Sequence, residues 1–357
     1  MDFEILSPSE QLAEFLRGQL YQGTWTEALP GTPTLAAELG VDRKTIMAAY
    51  NILEDEGILK SQGAGRPRRI NLPSRSVHSR LNIQMFPYED SDMQRDFVLQ
   101  MIHEIKIASH QFTTAEKSLV DMGMDVNRVA RYVSRNKADA YLVGPAASRE
   151  VLEWFAAKEQ PTFAIFGRRR QVSIASVGPN KELAIRKAVS RLVELGHQRI
   201  VYLAREERRK PNPGYIEQCY LDELQCHGIS AGSYNLPDWK DTPASFHECI
   251  ASLFRHTPPT AIILDESQFY IAAQQQLSQM GLVVPRDVSL ICSDAQPLFD
   301  WCQPAISHIR WDAQPVIRET LRWIRRVAQG KKDLRKAVYT PSEFVEGGTI
   351  GPAAGAT

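Results

Sequence analysis

Short apolar segments alternate with helical stretches beyond residue 80, and this alternation constrains the fold more than any other feature. The apolar strand candidates are residues 81–86, 138–143, 162–166, 199–203, 260–264 and 288–292. The helical stretches between them are residues 93–109, 148–159, 181–195, 214–227 and 268–280. Strands separated by helices pair in parallel, so the sequence predicts an α/β fold. Because about 270 residues exceed what one sheet comfortably holds, we expect two lobes with parallel sheets.

Composition narrows the class of protein. The 42 basic and 42 acidic side chains cancel, so any attraction to nucleic acid must come from local patches. No apolar run approaches the ~20 residues that a membrane span needs, and the acidic start lacks the basic segment of a secretion signal. The five cysteines show no C-x-x-C spacing, which favours free thiols over disulfides or zinc. We therefore expect a cytoplasmic protein with no metal and no cofactor.

The first 70 residues follow a different pattern, which predicts a winged helix-turn-helix. Residues 7–10 read Ser-Pro-Ser-Glu, which is a capping box with proline at the first helical position. Gly40 ends a second short helix and Asp42 caps a third, which is the spacing of a helix-turn-helix. Residues 58–61 and 66–70 then form the strands of a hairpin around a turn at 62–65, and the charged residues from 57 to 70 are all basic.

The third helix begins with Arg43, Lys44 and Thr45, which are donors placed where a recognition helix enters the major groove. Arg43 can grip a guanine edge bidentately, whereas Lys44 and Thr45 suit phosphate or a single base. The wing adds further candidate DNA contacts, namely Gln62, Gly63, Gly65 and Arg66. The alternative is a three-helix module for dimerisation or protein docking, with solvated charges.

The head resembles the GntR family. Residues 29–45, LPGTPTLAAELGVDRKT, are similar to its L-P-S-E-R-x-L-A-x-x-L-G-V-S-R-x-T, and residues 49–59 are similar to its A-x-x-x-L-E-x-E-G pattern. The resemblance places Arg43 on the family's base-reading arginine and residues 62–65 on its wing tip. Pro33 and Met47 stand where the family often has DNA-contacting arginines, so those two contacts are not expected.

The remainder resembles the LacI/GalR-type, periplasmic-binding-protein-like regulatory domain. Residues 192–200 (LVELGHQRI), 258–262 (PPTAI) and 280–290 (MGLVVPRDVSL) are similar to three of its motifs. A GntR head on such a body resembles the arabinose-repressor-like subgroup. The resemblance implies domains at 1–70 (head), 71–79 (linker), 80–351 (body) and 352–357 (tail). It puts lobe 1 at about 80–197 and 312–338, and lobe 2 at about 198–310 and 339–351.

Ligands of open α/β sheets bind outside the carboxyl ends of the strands, here in a cleft between two lobes. The candidate ligand-binding residues at these ends are Phe86, Tyr88, Arg168, Glu266 and Asp294. The resemblance makes Asp294 the ligand-contacting acid and puts Glu266 where an asparagine is usual. It also adds Asn180 as a candidate, at a position where the family often has an aspartate. Ile216 replaces the family's sugar-clamping arginine, and Cys219-Tyr220 and Ser267 also depart from its pattern. We therefore expect a polar or aromatic ligand rather than a standard sugar.

The sequence is compatible with three functions. The first is a DNA-binding regulator, most often a repressor, whose homodimer leaves double-stranded operator DNA when a small-molecule effector, such as a sugar-like metabolite, closes the cleft. The second is an enzyme, but the sequence lacks a G-x-S-x-G motif, a P-loop and zinc-ligand spacing, and its histidines show no periodicity. The third is a regulator with a degenerate pocket that acts through protein contacts without ligand.

Overall fold

A computed structural model of the chain describes residues 7–22, 24–25, 28–63, 66–71, 80–167, 170, 172–331 and 335–353. The chain divides into two compact units, residues 1–79 (the head) and 80–357 (the body). The division lies at the end of the predicted linker, most of which, residues 72–79, is outside the described residues. No helix in the described parts of the chain is long and apolar enough to cross a bilayer.

The head contains three helices followed by a two-stranded antiparallel wing, as the sequence predicts. Its elements are α1 (Pro8–Gln22), α2 (Thr32–Leu39), α3 (Arg43–Asp55), β1 (Leu59–Lys60) and β2 (Arg69–Ile70). The capping box of α1 is present, because the Ser7 amide donates to the Glu10 carboxylate and the Glu10 amide donates to the Ser7 hydroxyl. Gly40 has a φ of 64°, which lets the chain leave α2 in the left-handed conformation and turn into α3.

The head has its own apolar core. Leu16, Leu35, Ile46 and Leu53 are fully buried, so each helix contributes one face. Tyr50 lies among them, and its hydroxyl donates to the Pro30 carbonyl oxygen at 2.9 Å. This core is independent of the body and fixes the angle between α2 and α3.

Lobe 1 of the body is a six-stranded parallel sheet with the order β12-β7-β6-β5-β3-β4. Its strands are β3 (Asn82–Phe86), β4 (Gln111–Thr114), β5 (Ala140–Val143), β6 (Thr162–Ile165), β7 (Ala175–Pro179) and β12 (Ala337–Thr340). One face is covered by α4 (Asp96–Ile107) and α12 (Ala313–Ala328), and the other by α5 (Val126–Arg135) and α6 (Arg149–Ala156). Helices on both faces explain why the strands read as continuous apolar runs.

Lobe 2 is a five-stranded sheet with the order β13-β11-β10-β9-β8, in which only β13 is antiparallel to its neighbour. Its strands are β8 (Ile200–Leu203), β9 (Ala261–Leu264), β10 (Ser289–Cys292), β11 (Ser307–Trp311) and β13 (Ser342–Val345). Its helices are α7 (Glu182–Glu194), α8 (Glu206–Arg209), α9 (Tyr215–Cys226), α10 (Pro243–His256) and α11 (Ser267–Gln279). A short 3-10 helix, Pro297–Trp301, follows β10.

Two boundaries differ from those predicted. Lobe 1 ends near Asn180 rather than about residue 197, because Ile185, Val189 and Leu192 of α7 are buried in the core of lobe 2. The body also extends past residue 351, since Ala353 is buried and its amide donates to the Leu195 carbonyl oxygen at 2.8 Å. The last four residues of the predicted tail, 354–357, lie outside the described residues.

Candidate functional site

The first turn of α3 presents two exposed cations. Asp42 caps this turn by accepting from the Lys44 amide at 2.8 Å and the Thr45 amide at 3.0 Å. The Thr45 hydroxyl also donates to the Asp42 carboxylate, and these bonds hold the pKa of Asp42 below its ordinary value. Arg43 and Lys44 are exposed, and among the described residues of the head only Arg17 and Arg68 form ion pairs. The helix therefore starts with two cations free to meet an anion, whereas the Thr45 hydroxyl is occupied by the cap.

The wing is attached to α3 through Arg68. Its guanidinium pairs with Glu54 at 2.5 Å, lies 4.8 Å from the centre of the Tyr50 ring and donates to the Met47 sulfur. Gln62, Gly63 and Arg66 are exposed at the wing tip, and Gly63 has a φ of 100° that favours glycine. Gly65, the remaining predicted wing contact, lies outside the described residues.

In the body, the carboxyl ends of the strands of both lobes enclose a cavity of about 170 Å³. Lobe 1 contributes Tyr88, Arg95 and Phe166 to its wall, and lobe 2 contributes Arg205, Glu207, Tyr215, Glu266, Asp294 and Trp311. The parallel topology explains this placement, because β3, β6, β8, β9 and β10 all end at the cleft. A polar ligand would therefore touch both lobes.

Ion pairs from both lobes meet at Glu266. Arg95, at the start of α4, lies 3.1 Å from Glu266 and 3.1 Å from Asp92. Arg205, which directly follows β8, lies 3.1 Å from Glu266, 3.1 Å from Glu89 and 3.3 Å from Asp241. The Arg205 side chain is only 3% exposed, and the surrounding carboxylates raise its pKa against the effect of burial. These pairs link lobe 1 directly to lobe 2.

Asp294 is held by an aromatic side chain and a lysine. The Trp311 indole N–H donates to its carboxylate at 2.6 Å, and the Lys181 Nζ lies 3.5 Å away. The Trp311 ring packs edge-on against Phe97 and Phe166, with centroids 5.6 Å and 5.2 Å apart. Burial opposes the charge of Asp294, but Lys181 and the indole hold its pKa below the ordinary value. The carboxylate is therefore ionised and fixed in orientation.

A second carboxyl group of the cleft, that of Glu207, has a pKa close to neutral pH. Burial raises the pKa of Glu207 to about 7, and the Tyr88 hydroxyl donates to it at 3.1 Å across the cleft. Burial and the Glu207 carboxyl raise the pKa of Tyr88 far above its usual range, so the hydroxyl keeps its proton. Tyr88 and Glu207 thus form a polar link between the lobes whose charge changes near neutral pH.

Arg170 of lobe 1 lies between two tyrosine rings at the rim of the cleft. Its guanidinium is 3.5 Å from the centre of Tyr215 and 4.7 Å from that of Tyr339, and it donates to the Asn180 side-chain oxygen at 3.0 Å. It forms no ion pair with a described residue. Phe166 nearby adopts a φ of 62°, a left-handed conformation that is costly for a bulky residue and is often found at binding sites.

Two family descriptions match separate parts of the chain. Residues 8–66 match bacterial regulatory proteins of the gntR family, and residues 189–350 match the periplasmic binding protein-like domain. The chain therefore carries a gntR-family domain in its head and a periplasmic binding protein-like domain in its body. These are the two domains that its sequence motifs predict.

Relatives of the chain are transcription regulators. It is 28% identical to the HTH-type transcriptional regulator AscG of Escherichia coli over 54% of this chain, an alignment that spans only 57% of AscG. It is 24% identical to MalR of Streptomyces coelicolor over 81% of each chain. Among solved structures, the CelR–cellobiose complex covers 90% of this chain and 100% of its own, with a TM-score of 0.62 and 17% identity. That similarity concerns the fold alone.

Three of the predicted ligand-binding residues line the cavity of the body, namely Tyr88, Glu266 and Asp294. Asn180 lies beside it, bound to Arg170. Phe86 does not line it: the ring is fully buried in lobe 1 and packs edge-on against Tyr132 and Phe155. The prediction was wrong because side chains alternate along β3, and Phe86 points to the face covered by α5 and α6. Arg168 lies outside the described residues.

Sequence reasoning missed the cations of the cleft. Arg95 was placed inside a continuous helix, but the chain breaks there between a 3-10 helix, Asp90–Gln94, and α4. Arg205 lies two residues after the end of β8, and Arg208 lies in the short helix α8 that follows. Arg208 pairs with the buried Asp265 at 2.8 Å. The strand-end rule that selected Tyr88 and Asp294 applies equally to the run at 205–208, and would have found both.

Proposed function

We propose that the protein is a ligand-controlled transcription regulator, of the repressor type, whose head binds operator DNA. The observation that carries this proposal is the pair of exposed cations Arg43 and Lys44, which form no ion pair with a described residue and lie at the start of α3, the second helix of the helix-turn-helix. Donors at that position meet base edges and phosphates when a helix enters the major groove. Arg43 reads a base, Lys44 binds phosphate, and Arg66 of the wing follows the neighbouring groove.

The cleft of the body binds the effector, a polar metabolite with sugar-like chemistry. Asp294 accepts hydroxyl hydrogen bonds, while Trp311 and Tyr88 supply the aromatic surfaces that sugar rings favour. CelR, a structural neighbour, is known as a complex with cellobiose. Because Glu266 and Asp294 are joined to lobe 1 through Arg95 and Trp311, a ligand that replaces these contacts changes the angle between the lobes.

The working form is a homodimer in the cytoplasm that acts by binding rather than by catalysis. Large apolar side chains are exposed on both lobes, with Ile107 62% exposed on α4, Ile271 47% on α11 and Trp301 87% on the 3-10 helix. Tyr270 contacts Phe299, so α11 and the 3-10 helix present Ile271 and Trp301 from adjoining elements. Burial of such side chains against a second copy would place two heads on two half-sites.

A second candidate is a regulator that needs no ligand. Both oxygens of Glu266 are engaged by Arg95 and Arg205, and the Tyr88–Glu207 contact adds a further link between the lobes. These contacts favour a body that is closed by its own side chains and acts through protein contacts.

Selection of duplexes from a random-sequence pool by the full chain tests the first proposal. We expect an enriched site with two half-sites, and we expect metabolites that raise the melting temperature to change its occupancy. Asp294→Asn should abolish the metabolite effect while leaving the enriched sequence unchanged. If no metabolite raised the melting temperature of the protein while a duplex was still selected, the result would favour the second candidate. Failure to enrich any duplex would rule out both forms of operator binding.

A further inference from the structure

The amino ends of the strands in lobe 1 carry a concentration of basic side chains that the cleft does not use. β3, β5, β6, β7 and β12 are all parallel neighbours, so they begin at the same edge of the sheet. Helices that run back across the sheet end at this edge, and their last turns and following loops place cations there. The exposed members are Arg80, Lys106, Arg135, Lys137, Arg325, Lys331 and Lys336, which we call the basic edge.

The end of α12 dominates the basic edge. Arg325 and Arg326 lie in its last turn, and Lys331 and Lys336 lie between the helix and β12. From Ala313 to Lys336 the sequence has eight cations and two acids, Glu319, which pairs with Arg322 one turn earlier, and Asp333, which lies outside the described residues. None of Arg325, Lys331 and Lys336 forms an ion pair with a described residue. Cations therefore outnumber acids in this segment.

The favourable interaction of cations with a helix carboxyl end accounts for only part of this pattern. That interaction falls off within the last turn of a helix, so it explains Arg325 but not Lys331, Lys336 or Arg80. The acids at the same edge include Glu104, Asp139 and Glu159, and the Asp139 carboxylate accepts a hydrogen bond from the Asn82 amide at 2.7 Å. The cations of the basic edge outnumber these acids, and such a local excess in a chain of zero net charge favours a polyanionic partner.

The chain itself places the basic edge beside the tether of the DNA-binding head. β3 begins at Asn82, so the chain enters lobe 1 at the edge where β12 begins. The nine residues from 71 to 79 can span at most about 30 Å, which keeps that edge within reach of any duplex bound by the head. The cavity lies at the opposite, carboxyl ends of the same strands.

We propose that the basic edge is a second DNA-binding surface, which contacts the phosphate backbone of duplex flanking the site bound by the head. The contact is independent of base sequence, because it consists of the exposed lysine and arginine side chains of the basic edge, which meet phosphates and not base edges. It lengthens the footprint beyond that of the head and steepens the salt dependence of binding. This inference rests on the proposed binding of operator DNA by the head.

The test compares two duplexes with the same selected site, one trimmed to the site and one with about 15 base pairs of unrelated sequence on each side. The full chain should bind the long duplex about tenfold or more tightly at moderate salt, with a steeper slope of log affinity against log salt. The triple variant Arg325→Gln, Lys331→Gln and Lys336→Gln should lose that difference while binding the short duplex as the wild type does. For the long duplex, the slope of log affinity against log salt should become shallower by up to about one for each phosphate contact removed, and this change identifies the basic edge as the contact.

A matched variant removes the same charge elsewhere. Lys187→Gln, Lys240→Gln and Arg255→Gln alter three exposed cations of lobe 2 and should leave the length effect intact. Circular dichroism and melting temperature should be unchanged in both triple variants. Equal affinity of the wild type for the two duplexes would overturn the inference and would direct attention to an acidic protein partner instead. If the wild type bound neither duplex, the proposed function itself would fail.

Discussion

The first turn of α3 in the head and the cleft of the body hold their cations in opposite ways. Arg43 and Lys44 are exposed and unpaired among the described residues, whereas Arg205 is 3% exposed and lies within 3.3 Å of three carboxylates. An exposed cation keeps its charge available for phosphate, and the release of counterions drives the association. A buried cation must be neutralised locally, so those of the cleft are held by the carboxylates around them. The same residue type is therefore available to solvent in one unit and enclosed by acids in the other.

The largest effect is expected at Arg205. Arg205→Met leaves Glu89, Asp241 and Glu266 without their shared cation, and breaking a buried ion pair costs about 3–5 kcal/mol. We expect the free energy of unfolding of the body to fall by that amount in urea titrations. Arg310→Met is the matched control, because its partner Glu343 is exposed and such pairs contribute about 0–1 kcal/mol. Similar losses in the two variants would contradict the distinction.

A pH effect is expected from Glu207. In the folded chain this carboxyl keeps its proton up to about pH 7, whereas in the unfolded chain it loses the proton near its ordinary pKa of 4.5. The folded state binds more protons between these values, so stability falls as pH rises from about 4.5 to 7, by up to about 3 kcal/mol, and then levels off. Urea titrations at pH 5 and 7.5 should show this loss in the wild type and a smaller one in Glu207→Gln. An identical pH dependence in the variant would place the titration elsewhere.

Arg43→Ala should weaken binding to the selected duplex by about 1–3 kcal/mol and relax the preference at one base position. Lys44→Ala should weaken binding to all sequences alike, since a phosphate contact carries no base information. Competition titrations against duplexes with single base changes separate the two outcomes. A preference unchanged by Arg43→Ala would remove its assigned role.

The smallest effect is expected at Arg17, an exposed cation of the head that is already paired. It lies 2.5 Å from Glu56, and both side chains are about one-third exposed. Arg17→Gln should lower stability by less than about 1 kcal/mol and leave DNA binding unchanged. A large loss of DNA affinity in Arg17→Gln would show that a cation of the head can contribute to DNA binding although it is paired with a carboxylate. The distinction between paired and exposed cations would then fail.

Local signals in the sequence predicted much of the fold, but long-range packing set its boundaries. Gly40, Asp42 and the capping box of α1 act within a few residues, so the helix-turn-helix follows from them directly. The six strands predicted in the body are present, each shortened by one or two residues. Five strands of the body were missed, namely β4, β7, β11, β12 and β13. β12, for example, forms by pairing with β7, which lies far earlier in the chain. The placement of α7 in lobe 2 likewise depends on contacts that periodicity does not encode.

The site was harder to predict than the fold. Strand ends locate a cleft, but a sheet covered on both faces gives no sign of which way a terminal side chain points, and Phe86 was misplaced for that reason. Asp294 was found because its motif is distinctive. Arg95 and Arg205 connect the two lobes through carboxylates more than a hundred residues away in the chain, such as Glu266 for Arg95 and Glu89 for Arg205.

The most direct test of the account is the affinity of the full chain for its selected duplex across a series of salt concentrations, measured by fluorescence anisotropy. The account predicts that log affinity falls linearly with log salt, and that Arg43→Ala lies below the wild type throughout. Binding that is absent, or that does not respond to salt, would contradict the claim that the cations of α3 meet the phosphates and bases of duplex DNA.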